Sequence, residues 1–254
     1  MAGSLRMVVC LAAAGGELSG TAVRFLWERL SRRGRLGRSL ERLEETGKIR
    51  LVGAGHLDQR ILRLTEDGRR AAQGGIDPPS CWSRPWDRRW RIVAFDIPEA
   101  SAALRTRLRR RLHEFRFGWL QNSVWLSPDP IDEFRAKLHE KTTFPDSLTF
   151  LEASPVGGES NDAMVSAAWD FPVLAKGYAD YLEILRLRPG SRRPFESWVN
   201  WLRLEQRGWR RIVRLDPFLP RELLPAGYRG EQVWAARQEA FGEFGAALTK
   251  ATAT

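Results

Sequence analysis

The chain is poor in the residues that most chemistry needs. Its 254 residues include two cysteines, three histidines and three methionines. Two cysteines exclude a disulfide scaffold and a four-cysteine zinc site. With three histidines, Ser, His and Asp do not recur in a recognisable catalytic arrangement. Neither a Walker loop nor a dinucleotide fingerprint is present, so no cofactor is expected. No stretch approaches the roughly 18 apolar residues that a membrane span needs. The apolar segment from Val8 to Ala14 is short, and Glu17 to Arg33 continues as a fold rather than as a secreted chain. A cytoplasmic protein without a membrane partner is the simplest expectation.

Arginine and tryptophan are abundant instead. Lys and Arg number 41 against 31 Asp and Glu, a net charge of +10. That balance favours an anionic partner, either nucleic acid or a phosphorylated ligand. Residues 1–75 hold 14 Lys/Arg and 8 Asp/Glu, so 14 − 8 = +6 of the excess sits there. The eleven tryptophans read mainly as core and interface packing.

Within 1–75 the apolar spacing predicts three helices. Leu5, Val8, Val9 and Ala12 make one stripe, ended by Gly15-Gly16. Ser19 or Thr21 caps a second helix carrying Val23, Leu26, Trp27 and Leu30. A third runs from about Arg35 to Thr46 with Leu36, Leu40 and Leu43 inward. The period then changes. Lys48–Val52 and Gln59–Leu64 read as a hairpin, and Thr65 caps a short helix. Three helices and a hairpin are the order of a winged helix-turn-helix, whose third helix enters the major groove of double-stranded DNA. Arg32, Arg33, Arg35, Arg38, Ser39 and Arg42 surround that helix and are the candidate DNA contacts, with Arg38 and Ser39 the direct readers. The plain alternative is a solvated face with Arg38–Glu41 or Arg38–Glu45 pairs. In the hairpin Arg60, nearest the loop, is preferred over Arg63 as a phosphate contact.

Residues 76–89 are rich in Gly, Pro and Ser and read as a linker, with Trp82, Trp86 and Trp90 fastening it to the next domain. Residues 90–155 give the order β-α-β-β-α-β, which is ferredoxin-like. Asp96 closes its first strand. A carboxylate there either fixes the following turn with Glu99 and Arg105 or holds a divalent metal, the basis of a nuclease alternative. Residues 164–254 predict amphipathic helices over Trp169–Leu187, Phe195–Val213 and Glu231–Leu248. Trp198 and Trp201 read first as packing residues of the second of these helices and Arg192, Arg193, Arg210 and Arg211 as a solvated charged face. The same six residues are the candidate effector contacts, the arginines for phosphates. The fold class expected is therefore α+β: a winged helix, a ferredoxin-like middle domain and a helical C-terminal domain.

Several runs together resemble one family. They are Trp86-Asp87-Arg88-Arg89-Trp90-Arg91, Phe95-Asp96-Ile97-Pro98-Glu99, Gly118-Trp119-Leu120-Gln121-Asn122-Ser123-Val124-Trp125-Leu126-Ser127-Pro128, and Leu215-Asp216-Pro217-Phe218-Leu219-Pro220. In this order and spacing the chain resembles the PaaX-like repressors, named for the phenylacetic acid degradation repressor. The resemblance implies a homodimeric transcriptional repressor with a Cas2-like middle domain. It also implies release from an operator by an acyl-coenzyme A-type effector.

Overall fold

The computed structural model describes residues 2–30, 36–139, 148–190 and 193–252. Along the chain come α1 (Ala2–Ala13), β1 (Glu17–Ser19), α2 (Gly20–Leu30), α3 (Leu36–Glu45), β2 (Ile49–Val52), β3 (Ile61–Leu64) and α4 (Glu66–Ala72). There follow α5 (Pro78–Ser83), β4 (Trp90–Phe95), α6 (Ala102–Glu114), β5 (Gly118–Gln121), β6 (Val124–Ser127), α7 (Asp132–His139) and β7 (Leu148–Ala153). The remainder is helical: α8 (Asn161–Ala168), α9 (Phe171–Arg186), α10 (Phe195–Leu215) and α11 (Gly230–Thr252). Two compact units result. One comprises 1–77, 176–214 and 229–254; the other comprises 78–175 and 215–228.

In the first unit the three expected helices and the hairpin are present. The short strand β1 joins the hairpin to give an antiparallel sheet in the order β1-β3-β2. Helix α1 explains the apolar segment near the N-terminus. Met7, Val8, Val9, Cys10 and Leu11 are consecutive and all buried. A helix apolar on every side must be enclosed on every side. Helices α2, α3 and α4 cover it, and so does α11 from the far end of the chain. At that crossing the Ala13 carbonyl sits where a Cβ on Gly245 would be, 2.2 Å away, so only glycine permits the approach. Burial pushes the Cys10 thiol up to about 12, which leaves it protonated and unreactive.

Helix α10 buries Trp198, Val199, Trp201, Leu202, Trp209 and Ile212 along one face. Phe195 meets Phe25 of α2 at 5.7 Å and stacks on Phe244 of α11 at 6.0 Å between ring centroids. Deeper still, the fully buried Glu205 accepts hydrogen bonds through Oε1 from Arg237 Nε at 2.8 Å and the Tyr181 hydroxyl at 2.7 Å. The Arg237 guanidinium lies over the rings of Phe241 and Trp209, 4.4 and 4.7 Å from their centroids. Burial and the adjacent carboxylate raise the Tyr181 hydroxyl well above its ordinary value, so it stays a donor.

The second unit contains the β-α-β-β-α-β order, with sheet order β5-β6-β4-β7 and every pairing antiparallel. Val93, Phe95, Trp125, Leu108, Leu112 and Phe134 fill the face toward α6 and α7. The opposite face is also covered. Trp86, Trp90 and Leu126 pack there with Val165, Ala168, Leu219 and Leu223. A central strand buried on both faces explains why Trp90–Phe95 reads as a near-continuous apolar run rather than an alternating one. Pro78–Ser83 is helical, and Trp82 in it donates from Nε1 to the Tyr228 hydroxyl at 2.9 Å. Trp86, Trp90 and Trp169 form a ladder with centroid spacings of 5.2 and 6.2 Å. Trp86 and Trp90 are buried and Trp169 is partly buried, and these contacts fasten the segment down.

Removing one partner of the buried ion pair leaves the other charge stranded. Glu205→Gln is expected to lower unfolding free energy by about 3–5 kcal/mol, whereas the double replacement Glu205→Leu with Arg237→Met recovers much of that loss. Denaturant titrations of the three chains check this.

A second expectation concerns Asp87. Its carboxylate is bonded to the buried Arg91 guanidinium, which holds it below the ordinary carboxylate value. A depressed carboxylate contributes stability above its unfolded value, and that contribution is lost as pH falls through its folded value. Asp87→Asn is thus less stable than the parent at pH 7, and the gap closes in acid. Melting curves of both proteins from pH 7 to pH 2 measure it.

Candidate nucleic-acid interface

The third helix is placed from both sides. Leu40 and Leu43 are buried, and the Glu44 carboxylate accepts a hydrogen bond from the Leu51 amide at 3.1 Å, tying α3 to β2. With 3.6 residues per turn, Arg38 and Arg42 then fall on the opposite, exposed face. Neither has an ion-pair partner among the described residues. The expected alternatives Arg38–Glu41 and Arg38–Glu45 are not formed. Arg38, Ser39 and Arg42 share one open cavity of about 520 Å³. Leu5, Val8 and Leu43 form its apolar part. Arg32, Arg33 and Arg35 lie outside the described residues.

The hairpin is anchored on α2. Arg24 pairs with Asp58 through two hydrogen bonds of 3.2 and 2.9 Å, and the Gly20 amide donates to the Arg60 carbonyl at 2.8 Å. In β3, Leu62 and Leu64 are buried while Ile61 and Arg63 are exposed. Arg60 has the parity of Leu62. It is half-buried, and its Nε is buried without a hydrogen-bond partner. Arg63 instead points outward, paired with Glu17 at 2.6 Å. Across the sheet it faces Arg50, which is exposed and has no ion-pair partner among the described residues. Like charges directly opposite one another cost stability unless an anion lies between them or beside them. Arg50 was not among the expected contacts. Alternation from the buried Ile49 is the signal that points it outward.

The effector candidates do not gather in one place. Arg193 and Trp201 line an open cavity of about 530 Å³ together with Leu187, Pro189, Asn200 and Leu204. Trp198 is core, edge-on to Trp201 and near Phe244. Arg210 lies about two and a half turns farther along α10. Arg211 is paired with Asp180 at 3.0 Å. Arg192 lies outside the described residues.

Asp96 is exposed at the end of β4. The turn after it is held by Arg105, which donates from Nη2 to the Ile97 carbonyl at 3.2 Å. Among the described residues no group of three His, Cys, Asp or Glu is positioned to hold a metal ion. No described helix is long and apolar enough to cross a membrane.

Comparisons with known proteins agree with this architecture. Residues 83–165 match the model of the PaaX protein central Cas2-like domain, and residues 169–252 match the PaaX-like protein C-terminal domain. An uncharacterized protein, Rv0674 from Mycobacterium tuberculosis, is similar in structure with a TM-score of 0.58 and 22% identity, covering 100% of this chain and 99% of that one. At that identity the likeness speaks to the fold alone. No curated protein matches the sequence significantly.

A DNA contact by α3 and β2 predicts two separable losses. Arg38→Ala removes roughly 1–3 kcal/mol of discrimination at one guanine-containing position and affects random DNA less. Arg50→Ala weakens all sequences alike and lowers the salt slope by about one phosphate contact. Binding of each variant to a selected sequence, its single-base variants and random DNA at several salt concentrations separates them.

Proposed function

The chain belongs to the PaaX-like family, and from that premise we propose that it is a DNA-binding transcriptional regulator. In this reading it is a repressor that acts as a homodimer and leaves its operator on binding an acyl-coenzyme A-type effector. The observation that carries it is the pair Arg38 and Arg42. Both are exposed on the face of α3 opposite its buried leucines, without acidic partners among the described residues. Guanidinium groups so placed bind guanine edges bidentately and hold phosphates. The outward Arg50 and Arg63 add contacts that set position rather than sequence.

Effector control requires a ligand that binds the DNA-competent and DNA-incompetent forms unequally. A coupling of about 2.7 kcal/mol changes operator affinity roughly 100-fold. The cavity holding Arg193 and Trp201 fits such a ligand chemically, with a cation beside an aromatic wall. For the nuclease alternative, no group of three His, Cys, Asp or Glu that could hold a metal ion is found among the described residues.

The test selects bound fragments from random and genomic DNA, then repeats the selection with acyl-coenzyme A thioesters present. A recurring sequence that is bound without thioester and lost with it is expected. Equal affinity for unrelated sequences at fixed salt would leave a charge-only DNA binder instead.

A further inference from the structure

Arginines divide into two populations in the helices of the first unit. Arg186 pairs with Glu183, Arg188 with Glu239 and Glu243, Arg211 with Asp180 and Arg237 with Glu205. Arg203, Arg207, Arg210 and Arg214 have no acidic partner among the described residues. These four occupy positions i, i+4, i+7 and i+11 of α10. At 3.6 residues per turn they stay within roughly 60° of one another, about opposite the buried face. Arg207, Arg210 and Arg214 are exposed, and Arg203 is half-buried.

A fifth guanidinium joins them from α1. Arg6 is half-buried and donates from Nη1 to the Leu30 carbonyl at the end of α2 at 3.2 Å. Burial holds its pKa below the ordinary arginine value, and the charges of Arg203, Arg210 and Arg207 lower it further. Two turns before Arg203 on the same face, Glu196 is bonded to Arg29 of α2 at 3.1 Å. The stripe therefore starts where α2 and α10 are tied together. Five like charges without an acidic partner of their own among the described residues repel one another, and an anion laid along them removes that repulsion.

We propose that the Arg203–Arg207–Arg210–Arg214 stripe, with Arg6, is a second contact for the phosphodiester backbone of the DNA. The inference rests on the DNA-binding reading above and extends it to a helix outside the winged region. Length selects the occupant. Eleven residues of helix span about 17 Å. Phosphates recur about every 3.4 Å of axis along one DNA strand, so the stripe is long enough to meet several phosphates of a passing strand. The adjacent phosphates of a coenzyme A diphosphate cover only a small part of it. Such a contact carries no base information and adds affinity to every sequence.

The experiment compares the full chain with a triple variant, Arg207→Ala, Arg210→Ala and Arg214→Ala, and with the matching triple lysine variant. Binding to the selected operator and to random DNA is measured from low to moderate salt, with melting curves for each protein. The slope of log affinity against log salt should fall by about 2–3 per bound protomer in the alanine variant, equally for both DNAs. The lysine variant should keep the parent slope. Single alanine variants should each lower it by about one, which serves if the triple variant does not fold. An unchanged slope in folded variants of a chain that binds DNA overturns this inference and leaves the DNA-binding reading standing. An unchanged slope with loss of the thioester response assigns the stripe to the effector and likewise overturns it. A parent chain that binds neither DNA overturns both.

Discussion

Burial of the central turns of α1, Met7–Leu11, is the constraint on which the first unit depends. Five consecutive buried side chains leave those turns no face to give to water. The winged-helix elements cover only part of it, and α11, more than two hundred residues later, supplies the rest. The glycine at 245 exists within this constraint, since any larger side chain would strike the Ala13 carbonyl. Hydrophobic enclosure thus joins the N-terminal helices to α10 and α11 as one cooperative body. The buried Glu205–Arg237 pair sits in the same body and resists rearrangement, because separating its partners strands a charge.

Charge is organised against that rigid background. The ion pairs Arg24–Asp58 and Arg29–Glu196 are structural in their effect. The first holds the hairpin on α2 and the second holds α2 on α10. Exposed pairs such as these contribute little individually, about 0–1 kcal/mol. Their value lies in fixing where the unpaired guanidinium groups stand. Arg38, Arg42 and Arg50, and the stripe on α10, remain without acids among the described residues. A protein with 31 acidic residues has enough carboxylates to neutralise these positions. Their absence there makes a local positive field for a polyanion, and such a field contributes mainly to encounter and affinity.

Much of this was readable from local pattern. The leucines of α3, the hairpin alternation and the β-α-β-β-α-β order each follow from side-chain periods of 3.6 or 2. Thr65 accepts a hydrogen bond from the Gly68 amide at 3.0 Å, the cap that its position before the helix implies. Other features depended on distant partners. Strand β1 has three residues, too few for a periodic signal, and is defined only by pairing with β3. Helix α5 begins at Pro78 in a stretch whose composition resembles a linker, and Trp82 in it is fixed by Tyr228, 146 residues away. Arg60 and Arg63 illustrate the same limit at the site. Nearness to the loop favoured Arg60, but the register of β3 turns Arg63 outward and leaves Arg60 half-buried. Periodicity already marks Trp198 as a packing residue of α10, and it is buried, but residue type alone could not show that Arg211 is bound to Asp180.

Helix α10 brings these threads together because it presents different chemistry on different faces. Its apolar face packs on α9 and α11, and at Gly208 an added Cβ would lie 2.8 Å from Tyr181 and Ile184 of α9. Its first turns border the Arg193–Trp201 cavity, and its opposite face carries the arginine stripe. On the proposed function, a ligand seated at the head of this helix acts on the element that also meets the phosphates. Packed interfaces switch between discrete arrangements rather than deforming continuously, so a displacement of α10 would carry the whole stripe with it. Several phosphate contacts would then be lost together. Each contact is weak alone, but their loss compounds, which is how a modest ligand-binding preference can produce a large change in occupancy.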